Sequence, residues 1–577
     1  MDMLKKQGRI FLRAPRICVA YLIELAVLLA DLIYQACMFS ITHDAIWFLH
    51  KIQVMCLPVF IFSLYCAYEY IYKLRTCGIE EAVAAHPLGK IKLYGYGLLV
   101  LAGSVAVPFL IMDIFAAVIA WTVQLPADYH LHVLLVSVRN TLLTGVLASL
   151  AGALFALKLK RVKAYGCMAI LVFLMIPASD VIPGIAYDSY HINIWPVKAC
   201  FSDILPPNLT WTLDYQYGLS IEPFRWDTVL FWIFGLAALL CLCILKGKGR
   251  LRAACAIFCA AGMVLNICAY SLGGSKIDLS LAPASTLMED LLYYRRHVQK
   301  EEKADFSISD YDMQIKIGRQ LDAKVSLGIR SSSPLNQYPL TLYHGYTVSK
   351  IQGENGKELP FDRDGDYITV SSETPLKNMT IFYSGYSPIL YSNVQGVNLP
   401  GCFPYYPWAG YHRLYNADAS GGVDEFIPYR SPDTAQFTLD ITGGKQIQTN
   451  LARDPDDGKL RGKTNALTIM GGFLERTDHW AYPACITTLK SSRSYMAESD
   501  LDALQDEITK LEKQNARAKP VNLKDYTIFQ MNESMQRAGY VGPIVMDNHI
   551  LMPALGPGNI SSVARLILEE APNAEST

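Results

Sequence analysis

ICVAYLIELAVLLADLIYQACMFSI, residues 17–41, decides what kind of chain this is. A helix that crosses a bilayer needs about 20 mostly apolar residues, and this run exceeds that. It is too long for the core of a signal peptide and no small-residue cleavage site follows it, so it is expected to stay in the chain. Comparable runs follow at Gln53–Tyr72, Leu93–Trp121, Leu131–Leu157, Ala164–Pro183, Thr228–Leu245 and Ala253–Leu272. A buried helix of a large soluble protein would explain any one of them. Seven in succession predict a membrane α-helical bundle of about seven spans over residues 1–272. Beyond residue 272 the composition is that of ordinary soluble protein.

Whole-chain averages conceal this division. With 577 residues the chain is too long for one hydrophobic core, so at least two domains are expected. Its apolar fraction is 52% and its mean hydropathy only +0.21. A net charge of −1 gives no reason to expect a nucleic-acid partner. Twelve of the 14 cysteines lie before residue 273, mostly inside apolar runs, where Cys behaves as a small hydrophobe. Only Cys402 and Cys485 lie beyond. They make no disulfide framework, although one bridge between them is allowed.

Loop lysines and arginines set the orientation. One alternating set of loops holds Lys5, Lys6, Arg9, Arg13 and Arg16, then Lys73, Arg75, Lys90 and Lys92. It continues with Lys158, Lys160, Arg161 and Lys163 and ends with Lys246, Lys248, Arg250 and Arg252. The opposite set holds Lys51, Lys198 and Arg225. The N-terminus is therefore expected in the cytoplasm of a multi-pass cell-membrane protein. An odd number of spans then places everything after Leu272 outside. That placement rests on the last run, which is rich in Ala and Cys and is the weakest.

Four charges interrupt the apolar runs. Glu24 and Asp31 stand two helical turns apart on one face of the first, which suits a polar seam between helices or protomers. Asp113 precedes the outer end of the third run by eight residues, and Arg139 follows the outer start of the fourth by eight. In an antiparallel hairpin both reach a depth of about 12 Å at 1.5 Å per residue. A charge there is costly unless it is paired or faces water. An Asp113–Arg139 ion pair is therefore expected, either as a clip between helices or along a translocation route.

The loop EYIYKLRTCGIEEAVAAHPLGKIK (69–92) ends a span, turns at Gly78, and continues as an acidic, Ala-rich helix stopped near Pro87. Read alone, Glu80 and Glu81 are a solvated helix start favoured by the helix dipole. In its setting the loop resembles the segment between the second and third spans of ABC-type exporter permeases of the type-2 class. There a Glu closes the second span and a short G-x-E-E/Q helix couples the permease to its ATP-binding subunit. The resemblance covers about residues 1–250. It implies that Glu69 closes the gate helix and that Ile79–His86 is the coupling helix, with Glu80 and Glu81 towards the ATPase. It also implies that Leu4–Arg16 is an interfacial lead. Six spans are usual there, and a seventh would serve to deliver the second half outside. No phosphate-cradling G-x-x-x-x-G-K-[S/T] loop occurs here, and GPGNISS (556–562) lacks the lysine. ATP would be bound by a separate subunit, with no cofactor in this chain.

The second half opens with Gly273–Gly274–Ser275, a linker to about Ser285 and an amphipathic stalk helix expected over Thr286–Lys303. Residues 305–490 then read as a mainly-β domain. In Leu321–Ile329, the residues Leu321, Ala323, Val325, Leu327 and Ile329 alternate with polar ones, the half-buried strand pattern. Further strands are expected at Leu340–Ser349, Tyr367–Val370, Met379–Tyr383, Phe437–Ile441 and Ala466–Met470. Turns are expected at ENGK (354–357) and DRDGD (362–366). From 491 to 577 the segment turns α/β, with Leu501, Leu504, Ile508 and Leu511 at helical spacing.

DGDYITV (364–370), MTIFYSGYS (379–387), GCFPYYPWAG (401–410) and QFTLDITGGKQIQTNL (436–451) together resemble the N-terminal β-domain of aminopeptidase N family zinc peptidases. The family's zinc site needs His-Glu-x-x-His, which holds two imidazoles on one helix face. None of the 11 histidines has that spacing. His344, His412, His479 and His549 are isolated, and the segment 540–571 looks like the approach to the catalytic helix, which is not expected to appear before the sequence ends. No G-x-S-x-G elbow is present, and Cys402 has no partnering base. No metal site and no peptidase activity are expected. Phe403, Tyr405, Tyr406 and Trp408 form either an exposed recognition patch or an aromatic core.

The reading that unites these features is a permease subunit of an ABC-type exporter with a non-catalytic ectodomain that binds substrate or a partner. Its partners would be an ATP-binding subunit, a second permease subunit and the lipid bilayer. The alternatives are a binding or sensing protein whose spans only anchor the ectodomain, and the non-catalytic half of a split membrane peptidase.

Overall fold

A computed structural model describes residues 2–84, 86, 88–190, 192–206, 214–245, 249–277, 293–294, 297–416, 425–483, 498–515, 520–531, 535, 540, 542–552 and 560–571. These fall into two compact units. One holds the described residues before 214 together with 219–273; the other holds 214–218, 274–277 and those from 293 onward.

The first unit is helical. It comprises α1 (Asp2–Leu12), α2 (Pro15–Thr42), α3 (Ala45–Lys51), α4 (Cys56–Thr76), α5 (Ile79–Ala84), α6 (Gly89–Thr122) and α7 (Ala127–Ser137). There follow α8 (Thr144–Lys158), α9 (Arg161–Met175), α10 (Val181–Tyr190), α11 (Trp195–Ser202), α12 (Pro223–Ile244) and α13 (Gly249–Ser271). A 3-10 turn joins α3 to α4, and a π-helical stretch, Val138–Leu143, joins α7 to α8. Pro15 opens α2, where its fixed φ is helical and its missing N–H has no partner to lose. Asp44 caps α3 by accepting from the Trp47 N–H at 2.8 Å.

Six of these helical stretches are long and apolar enough to cross a membrane, and a seventh is if α9 and α10 count as one. The expected straight span over Ala164–Pro183 is broken. α9 and the helix starting at Pro177 meet at 78°. Pro177 lacks an N–H and its ring collides with the preceding turn, which ends α9. The Ser179 hydroxyl donates to the carbonyls of Leu174 (3.3 Å) and Ile176 (2.8 Å), which satisfies backbone groups released at the break.

The second unit is mainly β. Its largest sheet has seven strands, in the order 452–453, 460–464, 435–443, 306–317, 321–331, 378–385, 346–353. Phe306–Ile317 lies at the centre, antiparallel to Leu321–Ser331 and parallel to Ala435–Gly443, with Asp310 opposite Gln436. A four-stranded sheet (361–364, 367–371, 337–341, 408–409) shares the same apolar core, which contains Met313, Val325, Leu340 and Ile368. The expected Leu321–Ile329 strand forms with its five apolar residues buried. Leu340–Ser349 is not one strand: the chain reverses between Gln337–Thr341 and Tyr346–Gly353, where Tyr346 N–H donates to the Tyr343 carbonyl at 3.0 Å. Of Ala466–Met470, only the end enters a strand, Ile469–Gly471.

Half of the expected stalk helix lies outside the described residues. Its last part is not helical, since Glu302 pairs in a β-bridge with Tyr411. Towards the C-terminus a five-stranded sheet (474–476, 480–483, 527–530, 549–552, 544–545) joins α14 (Glu498–Asn515) and α15 (Ile560–Glu570). Leu501, Leu504, Ile508 and Leu511 are buried on one face of α14, as their spacing predicts.

Candidate functional site

The hairpin α4–α5–α6 is built by three local devices. Glu69, near the end of α4, is buried and accepts from the Tyr165 hydroxyl at 2.6 Å, with Arg16 Nη1 3.8 Å away. One carboxylate thus ties α4 to α9 and to the start of α2. Gly78, at φ +72°, supplies the left-handed residue that lets the chain leave α4 and enter α5. Ile79 and Val83 then pack against the helical core.

Glu80 faces the bundle as well. It accepts from Lys90 Nζ at 2.8 Å and from the Tyr94 hydroxyl at 2.9 Å. Burial pushes its carboxyl up, but these two partners outweigh burial and hold the group below the ordinary carboxylate value. The resemblance pointed both glutamates outward. Only Glu81, exposed like His86, has that placement. Glu80 is spent on bracing α5 against α6.

The charges within the apolar helices divide differently from expectation. Glu24 is buried, while Asp31 is half-buried and accepts from Gln35 on its own helix at 3.2 Å. Arg139 does not pair with Asp113. Its guanidinium donates to Asn140 Oδ1 (2.9 Å), to the Asp203 carbonyl and to the Arg225 carbonyl (3.3 Å). Asp113 is half-buried on α6. Asp113 and Arg139 differ in azimuth about their helices. Thr141 is the residue turned to α6, with its hydroxyl 3.7 Å from Met112 Sδ. Arg139, two positions earlier in the π-helical stretch, points elsewhere.

Around Arg139 lies a polar cluster that sequence reasoning missed. Arg225 Nε donates to Glu222 Oε2 at 2.5 Å, Arg225 Nη1 is 4.0 Å from Asp203 Oδ1, and Asn140 Nδ2 donates to Gln53 Oε1 at 3.4 Å. The i, i+3 spacing of Glu222 and Arg225 was the available signal; Arg225 was counted only as a loop charge.

In the β-rich unit the aromatic stretch is core, not a recognition patch. Phe403 and Tyr405 are 0% exposed, Tyr406 2% and Trp408 3%. Tyr405 donates to the Leu467 carbonyl at 2.8 Å, and Tyr383 donates to the Tyr405 carbonyl at 2.8 Å. Cys402 is buried beside Tyr540, and burial pushes its thiol up to about 12. Cys485 lies outside the described residues, so their bridge does too.

His344 stacks on Tyr293 and sits 3.0 Å from the Asp366 carboxylate, while His412 lies against Tyr429. Among the described residues, no group of three or more His, Cys, Asp or Glu is placed to hold a metal ion.

His549 makes a testable pH element. It is fully buried, with Nε2 2.8 Å from Thr468 Oγ1 and Nδ1 2.9 Å from Asn548 Oδ1. Burial pushes its pKa from 6.5 down to about 3. Below pH 6.5 the unfolded chain binds a proton that the folded chain refuses until about pH 3. The stability His549 permits is therefore complete above 6.5 and is lost as pH falls, by at most about 1.4 kcal/mol per pH unit. Asp547, whose carboxyl burial raises, acts in the opposite sense: its contribution is present at low pH and is lost as pH rises through its folded pKa. The expected net result is a Tm of the β-rich unit that declines from pH 6.5 to 4.5. A His549→Gln variant should flatten that decline; an unchanged slope would assign it to other groups.

No family model and no curated protein matches the chain. Among solved structures, an M1 zinc metallopeptidase from Deinococcus radiodurans is similar at 16% identity, over 47% of this chain and 64% of that one, with a TM-score of 0.30. Leukotriene A4 hydrolase from Saccharomyces cerevisiae is similar at 13% identity, over 46% and 42%, with a TM-score of 0.28. This chain spans less than two thirds of either structure. Likeness of this size transfers neither activity nor substrate.

Proposed function

We propose that the chain is the permease subunit of an ABC-type exporter. A separate ATP-binding subunit would dock on the outward face of α5, a second permease subunit would complete the path, and the β-rich unit would serve outside the cell as a non-catalytic binding domain. The observation that carries this reading is the bracing of α5. A loop that merely joins two spans needs no clasp. Here a six-residue helix is fixed to α6 through Glu80, Lys90 and Tyr94, and leaves Glu81 and His86 free of the bundle. A push on such a helix moves α6 as a rigid piece instead of being absorbed by bending, which is what coupling to a moving partner requires.

The test is affinity purification of the full chain from its native membranes. An ATP-hydrolysing subunit is expected to accompany the wild type and to be lost with Glu81→Lys, while Glu81→Gln retains most of it. Absence of such a subunit from the wild type, or its indifference to Glu81→Lys, would sink the reading.

A further inference from the structure

Asp214–Gly218 stands in sequence between α11 and α12, yet it folds as part of the β-rich unit. Gln216 is 0% exposed; its side-chain amide donates to the carbonyls of Val397 (2.7 Å) and Gly471 (3.0 Å). Its own carbonyl accepts from the Phe473 N–H at 2.8 Å. The Asp214 carboxylate accepts from the backbone N–H groups of Gln216 (3.0 Å) and Tyr217 (2.9 Å), and from the Tyr391 hydroxyl at 3.2 Å. Tyr217 lies on Tyr391 with ring centroids 4.5 Å apart. Its hydroxyl accepts from Asn393 Nδ2 at 2.9 Å and its carbonyl from Gln395 Nε2 at 3.0 Å.

The receiving surface is shaped for this turn. A Cβ on Gly396 would come within 2.8 Å of the Tyr217 ring, and one on Gly472, at φ +140°, would collide with the Gln216 carbonyl oxygen. Side chains at either position would keep the turn out.

The chain's return is fixed to the same unit. Beyond α13, Ser275 N–H donates to the Arg319 carbonyl at 2.8 Å. Ile277 is buried in one apolar cluster with Tyr217 and Tyr391. Among the described residues, α12 and α13 are the helices between these two anchors, and they pack on each other as an antiparallel pair: Phe224 meets Tyr270 at 6.3 Å and Phe234 meets Phe258 at 6.2 Å. Each has over 20 residues, about 33 Å of helix, enough for a hydrocarbon core of about 30 Å.

We propose that Asp214–Gly218 is a built-in latch whose occupant site is the Val397–Gly471–Tyr391 surface, and that seating it commits α12 and α13 to cross the bilayer as one hairpin. Segments anchored in one folded unit lie on one side of a membrane. The hairpin must therefore go out and come back, or not enter at all. α13, which is rich in Ala and Cys, is carried across by its partner and its anchors. This holds whatever α9 and α10 do, and it does not depend on an ATPase.

Two measurements on the full chain test it. Trypsin is applied to sealed membrane vesicles of known orientation, and the cuts are mapped by mass spectrometry. Cleavage at Lys357 and cleavage at Arg250, at the start of α13, are expected from opposite sides; both cuts from one side of sealed vesicles would overturn the proposal. Hydrogen exchange is expected to find residues 214–218 and 471–474 protected together. In a Gln216→Ala/Tyr217→Ala variant both should exchange at least ten-fold faster while Leu321–Ser331 stays protected. Exchange of 214–218 at free-loop rates in the wild type would equally overturn it. Because the variant changes only the turn, loss of protection confined to these two segments is not global unfolding.

Discussion

Replacing Gly152 by leucine is expected to keep the helical unit from assembling. Gly152 lies on α8 where that helix meets α4. A Cβ there would stand 2.3 Å from the Leu64 carbonyl oxygen, 2.9 Å from Ala67 Cβ and 3.0 Å from the Tyr68 backbone nitrogen. Two of those atoms are backbone, so no rotamer change makes room. The helices must part, and the buried residues along their seam, including Leu64, Ala67, Ala148 and Ala151, lose contact together. Where apolar helices pack, small residues let the backbones approach closely and make dense van der Waals contact. The expected loss is about 3 kcal/mol or more for leucine and about 1–3 kcal/mol for alanine. Thermal unfolding of the purified full chain, followed by size-exclusion chromatography, reads it. An unchanged Tm for Gly152→Leu would mean that α4 and α8 do not touch as described.

The second large effect is expected at Tyr405, and it separates a core from a recognition patch. Tyr405→Ala removes a fully buried ring and leaves the Leu467 carbonyl without its donor. The expected cost is about 3–5 kcal/mol, the range for deleting a buried aromatic. Tyr405→Phe removes only the hydroxyl and should cost about 1 kcal/mol. Near-neutral stability for both variants would restore the surface reading of this aromatic stretch.

How much was legible follows from which forces act locally. Apolar run length is a property of sequence alone, so six of the seven long runs were found with ends within about five residues, whereas the run expected over Ala164–Pro183 stops at Met175. Leu321–Ile329 and the face of α14 were legible for the same reason, since a period of two or of about 3.6 needs no partner to be seen. Phe306–Ile317 carries the same alternation in Tyr311, Met313, Ile315 and Ile317, yet it escaped notice. A bulge between Ile308 and Asp310 shifts the register and blurs the pattern.

The site was less legible because azimuth is set by packing. Depth along a helix can be counted, which brought Asp113 and Arg139 to one level. The π-helical stretch and the carbonyls of Asp203, just past α11, and of Arg225 on α12 decide which way Arg139 turns. Glu80 went astray likewise: its acidity was read as solvent-facing, whereas Lys90 and Tyr94 of the next helix claim it. Nothing in residues 214–218 announced a buried turn, because its recognition surface is assembled from residues 391–397 and 471–473.

The parallel pairing at the centre of the large sheet has a consequence for biosynthesis. Asp310 must wait for Gln436, roughly 125 residues later in the chain. At a ribosomal rate of about 5–20 residues per second, that is roughly 6–25 s. During that interval one edge of Phe306–Ile317 has no neighbour, and bare strand edges invite pairing with other chains. Nascent chains stopped before Gly443 should therefore aggregate or recruit chaperones, while those released just beyond Thr464 should not.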